Sequence, residues 1–240
     1  MYKVTMMAGQ LKRFVKLLME IGNEAKIEFT KETIHSRLLD DANCAIIDVT
    51  LNRNAFIEYE PREATFENPV IIGVDLVKLS AAIGPAGKLS EITLEEFNGK
   101  TQVAFDGMFF KLPILDPVAM KATCRMPDIA FPVTVEIDSD FFKSALAGVK
   151  TVKGDVVIAT EGNTLTFKSD SDDGNSFEFP VTVEGNYEKT ESMYADSYIK
   201  TAGMFEGEIE MRYGNELPII FRNFTEEMTT IYMVAPRLLK

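Results

Sequence analysis

The chain has 240 residues and a formal net charge of −12, with 46% hydrophobic and 26% charged residues, two cysteines and one histidine. That balance describes a globular chain, either one large domain or two of about 120 residues, and it excludes disorder, a disulfide framework and a histidine-rich zinc site. No stretch reaches the roughly 18 apolar residues of a membrane helix, and no basic segment followed by an apolar run opens the chain, so a cytosolic protein with two reduced thiols, Cys44 and Cys124, is expected.

In chain order, helical spacing occurs at about 9–21, 75–83, 139–149 and 196–205. Asp75, Ser139 and Asp196 stand where N-caps belong, and Gly84-Pro85 is a stop signal after the second helix. The rest reads as strands. Alternation is plain in Ala45-Ile47-Val49-Leu51, Leu165-Phe167, Phe177-Phe179-Val181-Val183 and Met228-Thr230-Tyr232-Val234, the pattern of half-buried antiparallel strands. "FNGK" at 97–100, "EGN" at 161–163, "DDGN" at 172–175 and "YGN" at 213–215 supply hairpin turn chemistry.

The order strand, helix, run of strands, helix, run of strands occurs twice, offset by about 131 residues. The fold class is therefore α+β, with two like domains of antiparallel sheets and two helices in each. They are expected at 1–115 and 135–240, joined by an extended connector at 116–134 that takes in most of "LDPVAMKATCRMPDIAFP" (115–132). The closing "TTIYMVAPRLLK", 229–240, is an apolar strand followed at once by Ala235-Pro236, which predicts a terminal segment that is tied down.

Charge is unevenly placed. On a helix over 10–21, Leu11, Phe14, Val15, Leu18 and Ile21 form one face, while Lys12, Arg13 and Lys16 gather on the other. Lys143 and Lys150, seven apart, share a face of the third helix, and Lys200 lies on the fourth. "EYEPREATFE", "SDSDD" and "TEE" are acidic. Cations on the outer face of an amphipathic helix are common in soluble proteins; alternatively, such a stripe contacts phosphates without reading sequence.

Catalytic patterns fail on inspection. "GPAGKLS", 84–90, lacks phosphate-loop spacing and has Leu89 where a Ser or Thr belongs; "DSDDGNSFE", 170–178, fits no calcium-loop register. His35 stands alone in a predicted strand and reads as structural, and Cys44 has no second histidine to activate it and reads as packing. No catalytic residue, metal site or cofactor is expected, and the protein is not read as an enzyme.

The duplication, the connector, the basic first helix, "LLDDANCAIIDVTL" (38–51), "RMPDI" (125–129), "YGNELPI" (213–219) and "MVAPR" (233–237) together resemble the proliferating cell nuclear antigen family of DNA sliding clamps, of archaeal type, over the whole chain. That resemblance implies a homotrimeric ring around duplex DNA, with the helices lining the hole and the sheets outside. The DNA-facing residues would be Lys12, Arg13, Lys16, Lys78, Lys143, Lys150 and Lys200. The second helix, with Lys78 followed by "LSAAI", carries fewer cations than relatives often place there. Pro113 and Pro180 mark strands that belong at sheet edges. By the resemblance these edges pair between subunits, through Phe109, Lys111 and Pro113 on one and Phe177, Phe179 and Val181 on the other.

The resemblance also implies a hydrophobic pocket that receives a Gln, an aliphatic residue and two aromatics from client proteins. Its residues would be Leu39, Asn43, Cys44 and Ile46, Met120 and Met126 from the connector, Pro218, and Met233, Val234, Ala235 and Pro236. The partners implied are DNA polymerase, a clamp loader, flap endonuclease and DNA ligase, with no membrane contact; the location would be cytoplasmic, or nuclear in a eukaryote. The activity implied is processivity without chemistry. A non-encircling peptide-binding adaptor, or a subunit of a heterotrimeric clamp, is the alternative.

Overall fold

The computed structural model describes residues 2–61 and 68–237. Part of the acidic stretch "EYEPREATFE" and the last three residues of the chain therefore lie outside the described residues. The chain divides into two compact units, Met1–Arg125 with Thr225–Thr230, and Met126–Phe224 with Ile231–Lys240.

The first unit runs β1 (Tyr2–Met7), α1 (Ala8–Met19), β2 (Glu24–Phe29), β3 (Ile34–Leu39), β4 (Ala45–Leu51), β5 (Phe56–Pro61), β6 (Val70–Asp75), α2 (Leu76–Ile83), β7 (Glu91–Phe97), β8 (Lys100–Phe105) and β9 (Met108–Pro113). One antiparallel sheet has the order β5-β1-β7-β8-β9, and β4-β3-β2-β6 form a second antiparallel run. Alternation places Ala25, Ile27 and Phe29 of β2 inward, and the Tyr2 ring of β1 stacks on Phe29 with centroids 4.1 Å apart. Helix α1 buries Ala8, Leu11, Phe14, Val15, Leu17 and Leu18 on this core. The Asn98-Gly99 turn joining β7 to β8 has φ of 52° and 70°, the two positive angles of a type I′ hairpin.

The second unit runs β10 (Val133–Asp138), α3 (Ser139–Val152), β11 (Val156–Asp170), β12 (Ser176–Tyr194), α4 (Asp196–Ile199), β13 (Glu208–Tyr213), β14 (Ile219–Phe224) and, from Ile231 on, β15 (Met228–Val234). The strands β10-β13-β14-β15 are neighbours in that order, and β11 pairs β12 in a long hairpin. Phe142 of α3 packs against Phe167 and Phe221, with ring centroids at 5.7 and 5.3 Å, and is fully buried.

Four local expectations change. The fourth helix is only Asp196–Ile199, continued by a 3-10 segment, Lys200–Met204; Thr201 and Gly203 are poor helix formers and the tighter turn takes over. Asp138, not Ser139, caps α3, its carboxylate accepting the Asp140 amide at 2.7 Å; Ala195, not Asp196, precedes α4. "EGN" at 161–163 is no hairpin turn but an irregularity inside β11, with Gly162 at φ 59° where the register to β12 shifts. Strand β4 is buried on both faces rather than half-buried, because Ile46 and Asp48 are covered as well as the predicted apolar set.

Because Phe142 is enclosed by two rings, Phe142→Ala is expected to lower the unfolding free energy by about 3–5 kcal/mol, measured by urea titration followed by circular dichroism.

Candidate nucleic-acid interface and docking surfaces

Amphipathic geometry leaves the cations of each unit on the helix face that is not buried. On α1, Lys16 is exposed, while Lys12 and Arg13 are half-buried. The Lys12 ammonium donates to the carbonyls of Gly84 (2.9 Å) and Ala86 (2.5 Å), so it neutralises the open C-terminal end of α2 and ties the two helices together. Lys78 is exposed and lies 2.9 Å from Asp75, whose carboxylate also accepts the Lys78 amide as the N-cap of α2. In the second unit Lys143 pairs loosely with Asp140 at 3.5 Å, and Lys150 and Lys200 are exposed. Lys12, Lys78 and Lys143 thus already have intramolecular partners.

The residues predicted for the pocket divide between the units. In the first, the loop between β3 and β4 is rigid, since the buried Asp40 carboxylate accepts the amides of Cys44 (2.7 Å) and Ala45 (2.9 Å). Asn43 is exposed with φ 56°, Cys44 is half-buried and Ile46 is buried. Leu39 and Met120 line one groove of about 270 Å³, with Arg37 and Lys121 beside them; Asn43, Cys44 and Ile46 do not line it.

In the second unit Met126, Pro218, Ala235 and Pro236 are half-buried, whereas Met233 and Val234 are buried in β15 and present little side-chain surface to a ligand. The Tyr194 hydroxyl donates to the Leu217 carbonyl at 3.0 Å and fixes the turn that carries Pro218. As far as Arg237 the closing segment is held: the Arg237 amide donates to the Met193 carbonyl at 2.7 Å, and its guanidinium pairs with Asp155.

Each unit also has a free strand edge. Strand β9 ends its sheet, with Phe109 67% exposed, Lys111 over the Phe97 ring at 5.0 Å, and Pro113 as its last residue. On β12 the Phe177 and Phe179 rings stack at 6.4 Å and are half-buried together with Val181, Phe177 lying against Gly148 of α3. Among the described residues no cluster of three or more His, Cys, Asp or Glu could hold a metal, and no helix is long and apolar enough to cross a membrane.

No protein-family model matches the chain. It is 26% identical to the DNA polymerase sliding clamp of Methanospirillum hungatei, over 99% of both chains. Its fold matches that of Archaeoglobus fulgidus PCNA, solved with the C-terminal region of FEN-1, at a TM-score of 0.90 with 22% identity over 100% of both chains. It also matches a chain of the PCNA2-PCNA3 complex of Sulfolobus tokodaii at 0.83, with 22% identity over 98% of this chain and 99% of that one. Over its whole length the chain is similar to archaeal DNA polymerase sliding clamps, and it has the fold of solved PCNA chains.

Against that clamp fold, one cluster stands out that single-sequence reading missed. His35 of β3 lies 3.2 Å from Asp48 through Nε2 and 3.5 Å from Glu28 through Nδ1, and Arg37 binds Asp48 through both Nε and Nη2 at 2.5 Å. The signal was available as a cross-strand pair, because Arg37 and Asp48 are partners in the β3–β4 register and His35 is two residues from Arg37 on the same face. Burial pushes the imidazole pKa down, but the Asp48 and Glu28 carboxylates outweigh it and lift the value to about 9. Burial would likewise raise Asp48, yet His35 and Arg37 hold it below the usual carboxylate range.

A raised histidine contributes stability that is complete below its unfolded pKa of about 6.5 and is lost as pH rises through its folded value. The unfolding free energy is therefore expected to fall by about 3 kcal/mol between pH 6.5 and 10, and His35→Gln to remove that slope, measured by urea titration at each pH.

Proposed function

We propose that this protein is a DNA sliding clamp, a processivity factor in which three copies close a ring around duplex DNA. The observation that carries this reading is similarity to an archaeal DNA polymerase sliding clamp over the whole chain, joined to a cation-bearing helix face and a free strand edge in each unit. Duplex DNA carries one charge per about 1.7 Å of axis, so a cationic lining attracts it while the −12 net charge of the chain is displaced to other surfaces. Side chains that reach only phosphates read no sequence, which is what sliding requires.

In this reading, the edges β9 and β12 of neighbouring copies pair through Phe109, Lys111 and Pro113 against Phe177, Phe179 and Val181. Pairing would cover backbone groups that otherwise invite uncontrolled association. The docking surface for polymerase, clamp loader, flap endonuclease and ligase then draws on Leu39, Asn43, Cys44, Met120, Met126, Pro218, Ala235 and Pro236, while Ile46, Met233 and Val234, being buried, support it from behind. Methionines suit that role because they repack for different clients. Lys16, Lys150 and Lys200 contribute most to the DNA lining, since Lys12, Lys78 and Lys143 are already engaged. The clamp does no chemistry itself.

A second reading, a subunit of a mixed ring, is favoured by the likeness to a complex of two different clamp chains. Light scattering separates the two: a solution mass near three times 26.8 kDa is expected for the self-closing ring, and a monomer over a dilution series rejects it. On nicked circular DNA, the triple Ala variant of Lys16, Lys150 and Lys200 is expected to keep the trimer mass. It should be retained less well than the wild type, with a flatter salt dependence, when loading is measured by gel filtration of the protein–DNA complex.

A further inference from the structure

Residues 114–132 form no helix or strand, yet three contacts tie their first half to the first unit. Leu115 and Gly73 exchange backbone hydrogen bonds of 2.8 and 3.1 Å. The Lys121 ammonium donates to the Asp40 carbonyl at 3.3 Å. Furthest along, Arg37 Nη1 donates to the Cys124 carbonyl at 3.3 Å.

The third contact differs in kind, because the group that makes it is already immobilised. Asp48 is 6% exposed, and its carboxylate holds Arg37 through two nitrogens. The side-chain entropy of the arginine is lost to that ion pair, so the remaining arm of the fork reaches the connector pre-oriented. His35 backs the same carboxylate and is itself held by Glu28, while Lys26, on β2, and Lys121 line the groove beside Arg37. Leu39 and Met120, both expected in the docking site, line that groove as well.

We propose that Arg37 is a positioning residue for client docking: its guanidinium, locked on Asp48, grips the Cys124 carbonyl and fixes the connector around Met120 and Cys124 in the form a client meets. The proposal rests on the clamp reading for the identity of the client. Ordering the connector in advance removes part of the entropy that a bound peptide would otherwise have to supply. A lysine at this position can pair with Asp48 but has no second arm for the carbonyl, so Arg37→Lys separates the grip from the β3–β4 ion pair.

The test uses limited trypsin cleavage of the full chain, because the connector itself carries Lys121 and Arg125. Nicking after those residues, followed by mass spectrometry, reports how often the segment opens. Both Arg37→Lys and Arg37→Met are expected to be nicked about tenfold faster than wild type. Arg37→Lys should keep the thermal midpoint, and both variants should bind a synthetic Gln-aliphatic-aromatic-aromatic peptide about fivefold more weakly by fluorescence anisotropy.

Nicking of Arg37→Lys at the wild-type rate overturns the proposal, since the arginine would then serve only its ion pair. Faster nicking with unchanged peptide affinity overturns the docking role. Failure of the wild type to bind the peptide rejects the clamp reading and the docking role with it, while the nicking comparison still decides whether Arg37 holds the connector.

Discussion

Each unit depends on one constraint: a helix lying on a sheet must bury one face, and what remains is committed to solvent. On α1 the buried set is Ala8, Leu11, Phe14, Val15, Leu17 and Leu18, so Lys12, Arg13 and Lys16 fall outside that face. On α3 the buried Phe142, Ala145, Val149 and Val152 leave Lys143 and Lys150 exposed. In an acidic chain, the unburied faces of α1 and α3 thereby carry these cations. Net charge alone would have argued against a nucleic-acid partner; the proposed DNA lining rests on where the helix cations sit, not on the total charge.

The helices are also coupled by polar contacts that apolar periodicity does not report. Lys12 closes the C-terminal end of α2, and Asp75 caps its N-terminus while pairing with Lys78. A cation that satisfies carbonyl oxygens is held in place, and its charge is partly spent before any phosphate arrives. Exposure and local partners together, rather than residue type, therefore rank the cations of a proposed DNA lining.

The connector shows how a segment without secondary structure is nevertheless held. At Gly73 an added Cβ would lie 2.5 Å from Met120 Sδ and 2.7 Å from the Leu115 carbonyl, so only glycine admits the approach that lets Leu115 pair with β6. Beyond it the contacts are made by charged side chains, Lys121 and Arg37, reaching backbone carbonyls. A rigid loop at Asp40–Cys44 and the anchored Arg237 give the neighbouring chain segments definite positions within their own units.

Element type, the antiparallel character of the sheets, the duplicated order of parts and the cationic face of α1 could be read from this sequence, because periods of 2 and 3.6 and short glycine turns are local properties. Resemblance of "YGNELPI" and "MVAPR" to the sliding clamps pointed to the same fold that the structure displays. Tertiary structure alone decided the rest. That "EGN" stays within a strand and that β4 is buried on both faces depend on neighbours distant in sequence. The same holds for Arg37: eleven residues separate it from Asp48 and eighty-seven from Cys124, and only strand register and the path of the connector bring the three together. Local pattern fixes which way a side chain points; which groups it meets is set by the fold.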